Sequence, residues 1–212
     1  MSPVEQRRAW RGEFGDAYTA RNVRTEESLA SRTRFFTRVL GGLSLPPAAA
    51  VLEVGCNVGM NLEALTRTLP SRLFGVDLNE HALRTLTGTP ALAGRARVLA
   101  GEGQRLPFGD GSVDLAFTCG VLIHVHPDDL LEACREIVRV SRRYVLCAEY
   151  FSPRPEAIEY RGRTDLLFKR DFGGFYLDQW PELRLVDYGF LWKRTEFDDL
   201  NWWLFERAGA GR

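Results

Sequence analysis

One segment constrains this chain more than any other: Val51-Leu52-Glu53-Val54-Gly55-Cys56-Asn57-Val58-Gly59-Met60-Asn61. A short apolar run ends in an acid and passes into a glycine-spaced loop that opens a helical pattern. Further on, Leu73-Phe74-Gly75-Val76-Asp77 repeats the apolar run and again ends in an acid. Glycine at a strand's end lets the backbone approach a ligand closely, because it has no Cβ and accepts positive φ. A strand, a glycine loop, a helix and a second acid-tipped strand predict a parallel α/β sheet with a nucleotide-like ligand at the strand ends.

Two ligands compete for such a loop. A dinucleotide requires G-x-G-x-x-G, and here Asn57 stands in place of the second glycine. Glu53 counts further against it, since a carboxylate repels the pyrophosphate that a helix N-terminus would attract. S-adenosylmethionine (SAM) carries a sulfonium and an ammonium and no phosphate, so acids along its path help. Asn57 is tolerable because Asn enters the left-handed region more readily than most residues. The residues favour SAM, with an NAD-dependent oxidoreductase as the alternative.

The downstream motifs resemble those of class I SAM-dependent methyltransferases. Leu106-Pro107-Phe108-Gly109-Asp110-Gly111-Ser112-Val113-Asp114-Leu115-Ala116-Phe117 is similar to their L-P-F-x-D-x-S-F-D-x-V run, and Thr118–Val125 to their fourth-strand exit. Nearly the whole chain resembles a narrower group, the methylases associated with pseudaminic acid biosynthesis. The segments that carry this are Glu13–Asp16, Tyr18, Arg21-Asn22, Leu122–Pro127, Ala148–Phe151, Tyr160–Gly162, Leu167–Phe172 and Asp187–Phe190. The resemblance implies a Rossmann-like, doubly wound seven-stranded sheet, six strands parallel and one antiparallel, with an N-terminal helical lid. It implies SAM bound by Tyr18, Asn22, Glu53, Gly55, Cys56, Asn57, Gly59, Asn61, Asp77, Leu78, Glu102, Gly103 and Cys119. Asp77 would grip the ribose hydroxyls and Glu102 the adenine amino group.

At 212 residues the chain reads as one domain with an ample core. Residues 1–44 read as a helical arm or lid, 45–150 as the SAM-binding core, 151–182 as an acceptor-site insertion, and 183–212 as a strand hairpin. Within these, residues 3–22 are expected to be helical, and Thr25 to cap a helix running to about Leu40. Strands are expected near 50–54, 72–77, 96–100 and 113–118, and over Arg143–Glu149, Leu183–Lys193 and Leu200–Glu206. Helices are expected near 60–68 and 79–87 and from Pro127 to about Val140. The insertion, broken by Pro153, Pro155 and Gly173-Gly174, is expected to be irregular with one short helix. Lys+Arg and Asp+Glu are both 28, which argues against a dedicated nucleic-acid binder. The four cysteines lack metal-type spacing and read as reduced core residues, so no metal is expected. No apolar run approaches the ~20 residues of a membrane span, and no secretory signal opens the chain. A cytoplasmic protein, monomeric or homodimeric, is the expectation.

Methyl transfer needs alignment above all, and a base where the acceptor is a protonated oxygen or nitrogen. His124 follows the fourth strand, and an ordinary imidazole pKa of about 6.5 suits proton transfer at neutral pH; it is the expected catalytic residue. His126 reads as a helix-entry residue and His81 as a surface residue. Trp10, Phe14 and Tyr18 stand four residues apart, so one helix would present all three on a single face as a lid. Tyr18, Tyr150, Tyr160, Arg161, Lys169 and Arg170 are expected to bind the acceptor. The three cations there imply a small anionic metabolite, and the narrower resemblance a sugar acid. Of Trp202 and Trp203, alternation puts one in the core and the other on the surface or in a dimer contact.

Overall fold

The computed structural model describes residues 1–209, so 210–212 of the expected C-terminal hairpin unit lie outside the described residues. Ser2 caps the first helix, α1 (Pro3–Arg11), in a reciprocal box with Glu5, and Pro3 occupies its first turn. Gly12, in an extended, non-helical conformation, ends α1, and α2 (Glu13–Thr19) starts afresh. The arm is therefore two helices and not the continuous one expected. Thr25 caps α3 (Glu26–Leu40) in a second box with Ser28, where the sequence placed it.

The alternating core follows: β1 (Ala50–Val54), α4 (Met60–Thr66), β2 (Arg72–Asp77), α5 (Glu80–Thr87), β3 (Ala96–Ala100), β4 (Val113–Cys119), α6 (Pro127–Val140) and β5 (Ser141–Glu149). The insertion holds a two-stranded hairpin, β6 (Glu156–Ala157) with β7 (Phe168–Lys169), which the sequence did not suggest. The expected short helix, α7 (Phe172–Gln179), is present, followed by β8 (Leu183–Leu191) and β9 (Leu200–Arg207). The seven-stranded sheet runs β3-β2-β1-β4-β5-β9-β8. β1 to β5 pair in parallel, β9 runs against β5, and β8 against β9. That leaves six strands pointing one way and one the other, a Rossmann-like doubly wound sheet.

Central strands are buried on both faces, which explains the unbroken apolar runs of β1 and β4. One core layer packs Phe35, Phe36, Val39, Leu62, Leu65 and Leu86 of α3, α4 and α5 against the sheet. The other packs Leu130, Cys134, Ile137, Phe172 and Tyr176 of α6 and α7. Trp202 faces the first layer and is 1% exposed. Trp203 is partly covered on the opposite face, its ring close against Gly173 of α7. The strand order reverses between β1 and β4, so their carboxyl ends open the crevice in which such sheets bind ligands. No helix among the described residues is long and apolar enough to cross a membrane.

Candidate active site

A cavity of about 260 Å³ fills that crevice, floored by the ends of β1, β2 and β4 and roofed by the arm. The loop after β1 reaches it with Gly55 and Gly59 at φ of 77° and 79° and Asn57 at 43°. Asn57 thus occupies the left-handed region that its side chain tolerates. An added Cβ at Gly55 would stand 2.4 Å from a methyl of Val121, so this backbone is pressed against the turn after β4. Asp77 secures the loop from the next strand, accepting hydrogen bonds from the Asn57 and Asn79 amides at 2.8 Å each. Burial outweighs those bonds and raises its pKa.

Glu53 is 2% exposed. Asn61 donates to its Oε1 at 2.7 Å, and its Oε2 has no partner. Burial pushes its pKa up to about 8; the Asn61 bond and the Arg32 charge oppose this, and Asp77 adds to it. Four wall residues besides Glu53 hold buried polar atoms without partners: Trp10 Nε1, Arg32 Nε, and the amide oxygens of Asn57 and Asn61. A purely apolar ligand would leave all of these groups unsatisfied, at a cost of about 1–3 kcal/mol apiece. A ligand carrying an ammonium, a carboxylate and hydroxyls would satisfy them, and that donor set fits SAM.

His124 closes a 3₁₀ turn, Leu122–His124, beyond β4. Its Nδ1 stands 2.7 Å from the carbonyl oxygen of Leu166. A carbonyl only accepts, so Nδ1 carries the proton and Nε2 is left as the acceptor. Burial lowers its pKa to about 4. The ring is thus neutral at physiological pH and a weaker base than its sequence position suggested. Trp10 lies 4.5 Å from it, Tyr160 5.5 Å and Tyr18 6.0 Å, measured between ring centroids. Trp10 also contacts Phe14 and Tyr18, so the three arm aromatics converge although they are divided between two helices.

Protein contacts alone hold the arm down. Arg7 bridges Glu102 and Asp129, Arg11 reaches Glu102 at 2.5 Å, and Gln6 donates to the Asp165 carbonyl at 3.2 Å. Asn79 donates to the Trp10 carbonyl and to Asp16.

Of the expected cofactor residues, Tyr18, Asn22, Glu53, Gly55, Cys56, Asn57, Gly59, Asn61, Asp77, Leu78, Gly103 and Cys119 all line the cavity. Glu102 does not: the arm arginines draw its carboxylate away, and Gly101, Gly103 and Gln104 form that stretch of wall. Of the expected acceptor residues, Tyr18, Tyr150 and Tyr160 line it. Arg161, Lys169 and Arg170 are not among the residues of its wall. Arg161 stacks on Tyr160 at 5.6 Å, Lys169 on Tyr150 at 5.2 Å, and Arg170 on Phe175 at 4.1 Å. The first two cations therefore sit one layer behind the wall, against tyrosines that belong to it. Arg21 stacks on Tyr18 in the same manner, at 5.6 Å. His126 caps α6 through the Asp128 amide, and His81 is exposed, both as expected.

The sequence reading missed Arg32, Phe197 and Asp198 on the wall. Arg32 left a signal, a charge three residues after Leu29 and four before Phe36 on the apolar stripe of α3. Asp198, in the loop between β8 and β9, left none.

Residues 51–143 match the family model described as a methyltransferase domain. Curated relatives include an uncharacterized 37.1 kDa protein in transposon Tn4556 of Streptomyces fradiae, 34% identical over 115 residues, or 51% of this chain and 32% of that protein. Another is 24-methylenesterol C-methyltransferase 2 of Oryza sativa subsp. japonica, 28% identical over 133 residues, 58% of this chain and 36% of that protein. The chain spans about a third of the length of these relatives. Among solved structures, it resembles the Burkholderia thailandensis 1,6-didemethyltoxoflavin N1-methyltransferase with bound 1,6-didemethyltoxoflavin and S-adenosylhomocysteine. The TM-score is 0.75 over 98% of this chain and 91% of that one, at 18% identity. At such identity the likeness is one of fold.

Proposed function

We propose that this protein methylates an oxygen or nitrogen of a small-molecule acceptor, with SAM as the donor. One observation carries the reading: a single arm-covered cavity joins the acidic pole at Glu53 and Asp77 to a buried, neutral His124 whose Nε2 is its one unengaged ring nitrogen. Glu53 with Asn61 would hold the donor's ammonium, Arg32 its carboxylate, and Asp77 its ribose. Bound there, SAM supplies a methyl carbon already activated by its sulfonium.

The chain's own residues then do three things. The ends of β1, β2 and β4 fix the donor's orientation. Trp10, Tyr18 and Tyr160 exclude water from the reacting end and keep the acceptor in line, where proximity is most effective. His124 accepts a hydrogen bond at Nε2 from the acceptor's O–H or N–H and takes up the proton released. Because burial disfavours the imidazolium, orientation is its larger contribution.

The wall dedicates no cation of the insertion to the sugar acid suggested by the narrower resemblance. An anionic acceptor group would have to meet the tyrosine hydroxyls, with Asp198 nearby. The reading is tested by calorimetry with S-adenosylhomocysteine, followed by incubating the protein and SAM with metabolite extracts and searching by mass spectrometry for products heavier by one methylene. Failure to bind S-adenosylhomocysteine would remove the cofactor assignment. Binding without a methylated product from any extract would leave a non-catalytic SAM-binding protein.

A further inference from the structure

The His124 turn is held from beneath by a buried acid that the proposed chemistry does not use. Glu149, the last residue of β5, is fully buried. Its Oε1 accepts from the Val121 amide at 3.2 Å and its Oε2 from the Ile123 amide at 3.3 Å. Those amides flank Leu122, at the start of the turn that carries His124. The turn is closed by its own bond from the His124 amide to the Val121 carbonyl, at 2.9 Å. On its far side the Val121 methyls press on Gly55 of the cofactor loop. Three contacts thus locate the imidazole: Leu166 at Nδ1, Gly55 against Val121, and Glu149 under the backbone.

We propose that Glu149 is the positioning residue of this site, a two-pronged acceptor that fixes the Val121–Ile123 backbone and through it the place of His124. The inference rests on the role given to His124 above, but its test reads geometry and not turnover.

An ionised carboxylate presents an acceptor at both prongs, and protonation turns one of its oxygens into a donor. Glutamine, of equal size, would turn an N–H toward one amide and leave that amide unpaired. The titratable groups facing Glu149 are Cys119 of β4, Cys134 of α6, Cys147 of β5 and Tyr176 of α7. Burial raises the pKa of each, so all four are neutral around pH 7 and none supplies a countercharge. Burial likewise pushes Glu149 up to about 7 against the pull of the turn's amides. The prongs therefore change protonation within the physiological range.

Amide and imidazole NMR of the full chain, titrated from about pH 5.5 to 8.5, reads this directly. In the unaltered protein the Val121 and Ile123 amide shifts should move together with a midpoint near 7. In Glu149→Gln that midpoint should vanish, and the His124 imidazole resonances, one of three histidine sets, should be displaced from their original positions. His126→Asn guards against a neighbour's titration and against a Glu149 variant that fails to fold, and the Val121 and Ile123 midpoint should survive it. The proposal is overturned if neither amide titrates in this range, if the midpoint disappears in His126→Asn, or if a folded Glu149→Gln keeps the His124 resonances unmoved. Loss of activity in His124→Ala plays no part in these outcomes, so the positioning role and the catalytic reading can fail separately.

Discussion

Replacing Glu53 by Gln should weaken S-adenosylhomocysteine binding by an amount that grows with pH. With a pKa of about 8, Glu53 is largely protonated at pH 7 before a ligand ammonium arrives. Ionising it costs about 2.7 kcal/mol at pH 6, about 1.4 at pH 7 and about 0.8 at pH 7.5. The charge-assisted hydrogen bond gained in return contributes roughly 1.5–3 kcal/mol. The net penalty of Glu53→Gln is therefore close to nil at pH 6 and roughly 3- to 40-fold in Kd at pH 7.5. Above that the ligand's own amine, with a pKa of about 7.7–8.0, begins to lose its charge. Calorimetry in buffers of different ionisation enthalpy adds a second readout. Binding to the unaltered protein at pH 7 should release up to about 0.9 proton, and binding to the variant none from this site. A penalty that stays flat from pH 6 to 7.5, or equal proton release in the two proteins, would refute the pairing of Glu53 with the ammonium.

Removing residues 1–22 should leave a folded protein, because the core begins at α3, but should weaken S-adenosylhomocysteine by about tenfold or more. Hydrogen exchange in Trp10–Asn22 that ligand fails to slow would contradict a lid. His124→Ala should lower the methylation rate about 10²-fold, the low end for a general base, with cofactor affinity nearly intact; an unchanged rate would return the residue to structure. Since burial lowers the pKa of His124 from 6.5 to about 4, stability is lost as pH falls from about 6.5 through 4. Denaturant unfolding at several pH values should show that limb reduced in His124→Phe. Asp77→Ala removes the acceptor for the Asn57 and Asn79 amides as well as the proposed ribose contact, and should weaken S-adenosylhomocysteine by about 10- to 100-fold. Unchanged affinity would remove Asp77 from the site.

The cofactor end of the site was legible because backbone chemistry writes it locally. Gly55, Asn57 and Gly59 are set by the φ values of one loop, and Glu53 and Asp77 by the strand ends beside it. The acceptor end was less so, because segments far apart in sequence assemble it. Asp198 arrives from the loop between β8 and β9, Tyr160 from the insertion, and Trp10 from a helix that ends at Gly12. Glu102 stands after β3 where the sequence expects it, but the arginines that pair with it lie some ninety positions earlier, out of reach of any local motif. For Arg161 and Lys169 the sequence gives charge without direction: each side chain stacks on a tyrosine of the wall and is not itself among the wall residues. The aromatic convergence survived a wrong premise. One helix was expected, and a glycine hinge between two helices brings the same rings together.

The Arg7 bridge has a consequence for the rhythm of turnover. A single guanidinium spans Glu102, beyond β3, and Asp129, in the first turn of α6, so lifting the arm breaks both contacts at once. Each partner belongs to the protein and not to a ligand, so the latch needs no ligand to form. Under the proposed function, release of S-adenosylhomocysteine would wait on ion pairs that dissolved salt can screen. In the proposed cycle, rising salt should therefore quicken product exit and leave the bond-making step at its own pace.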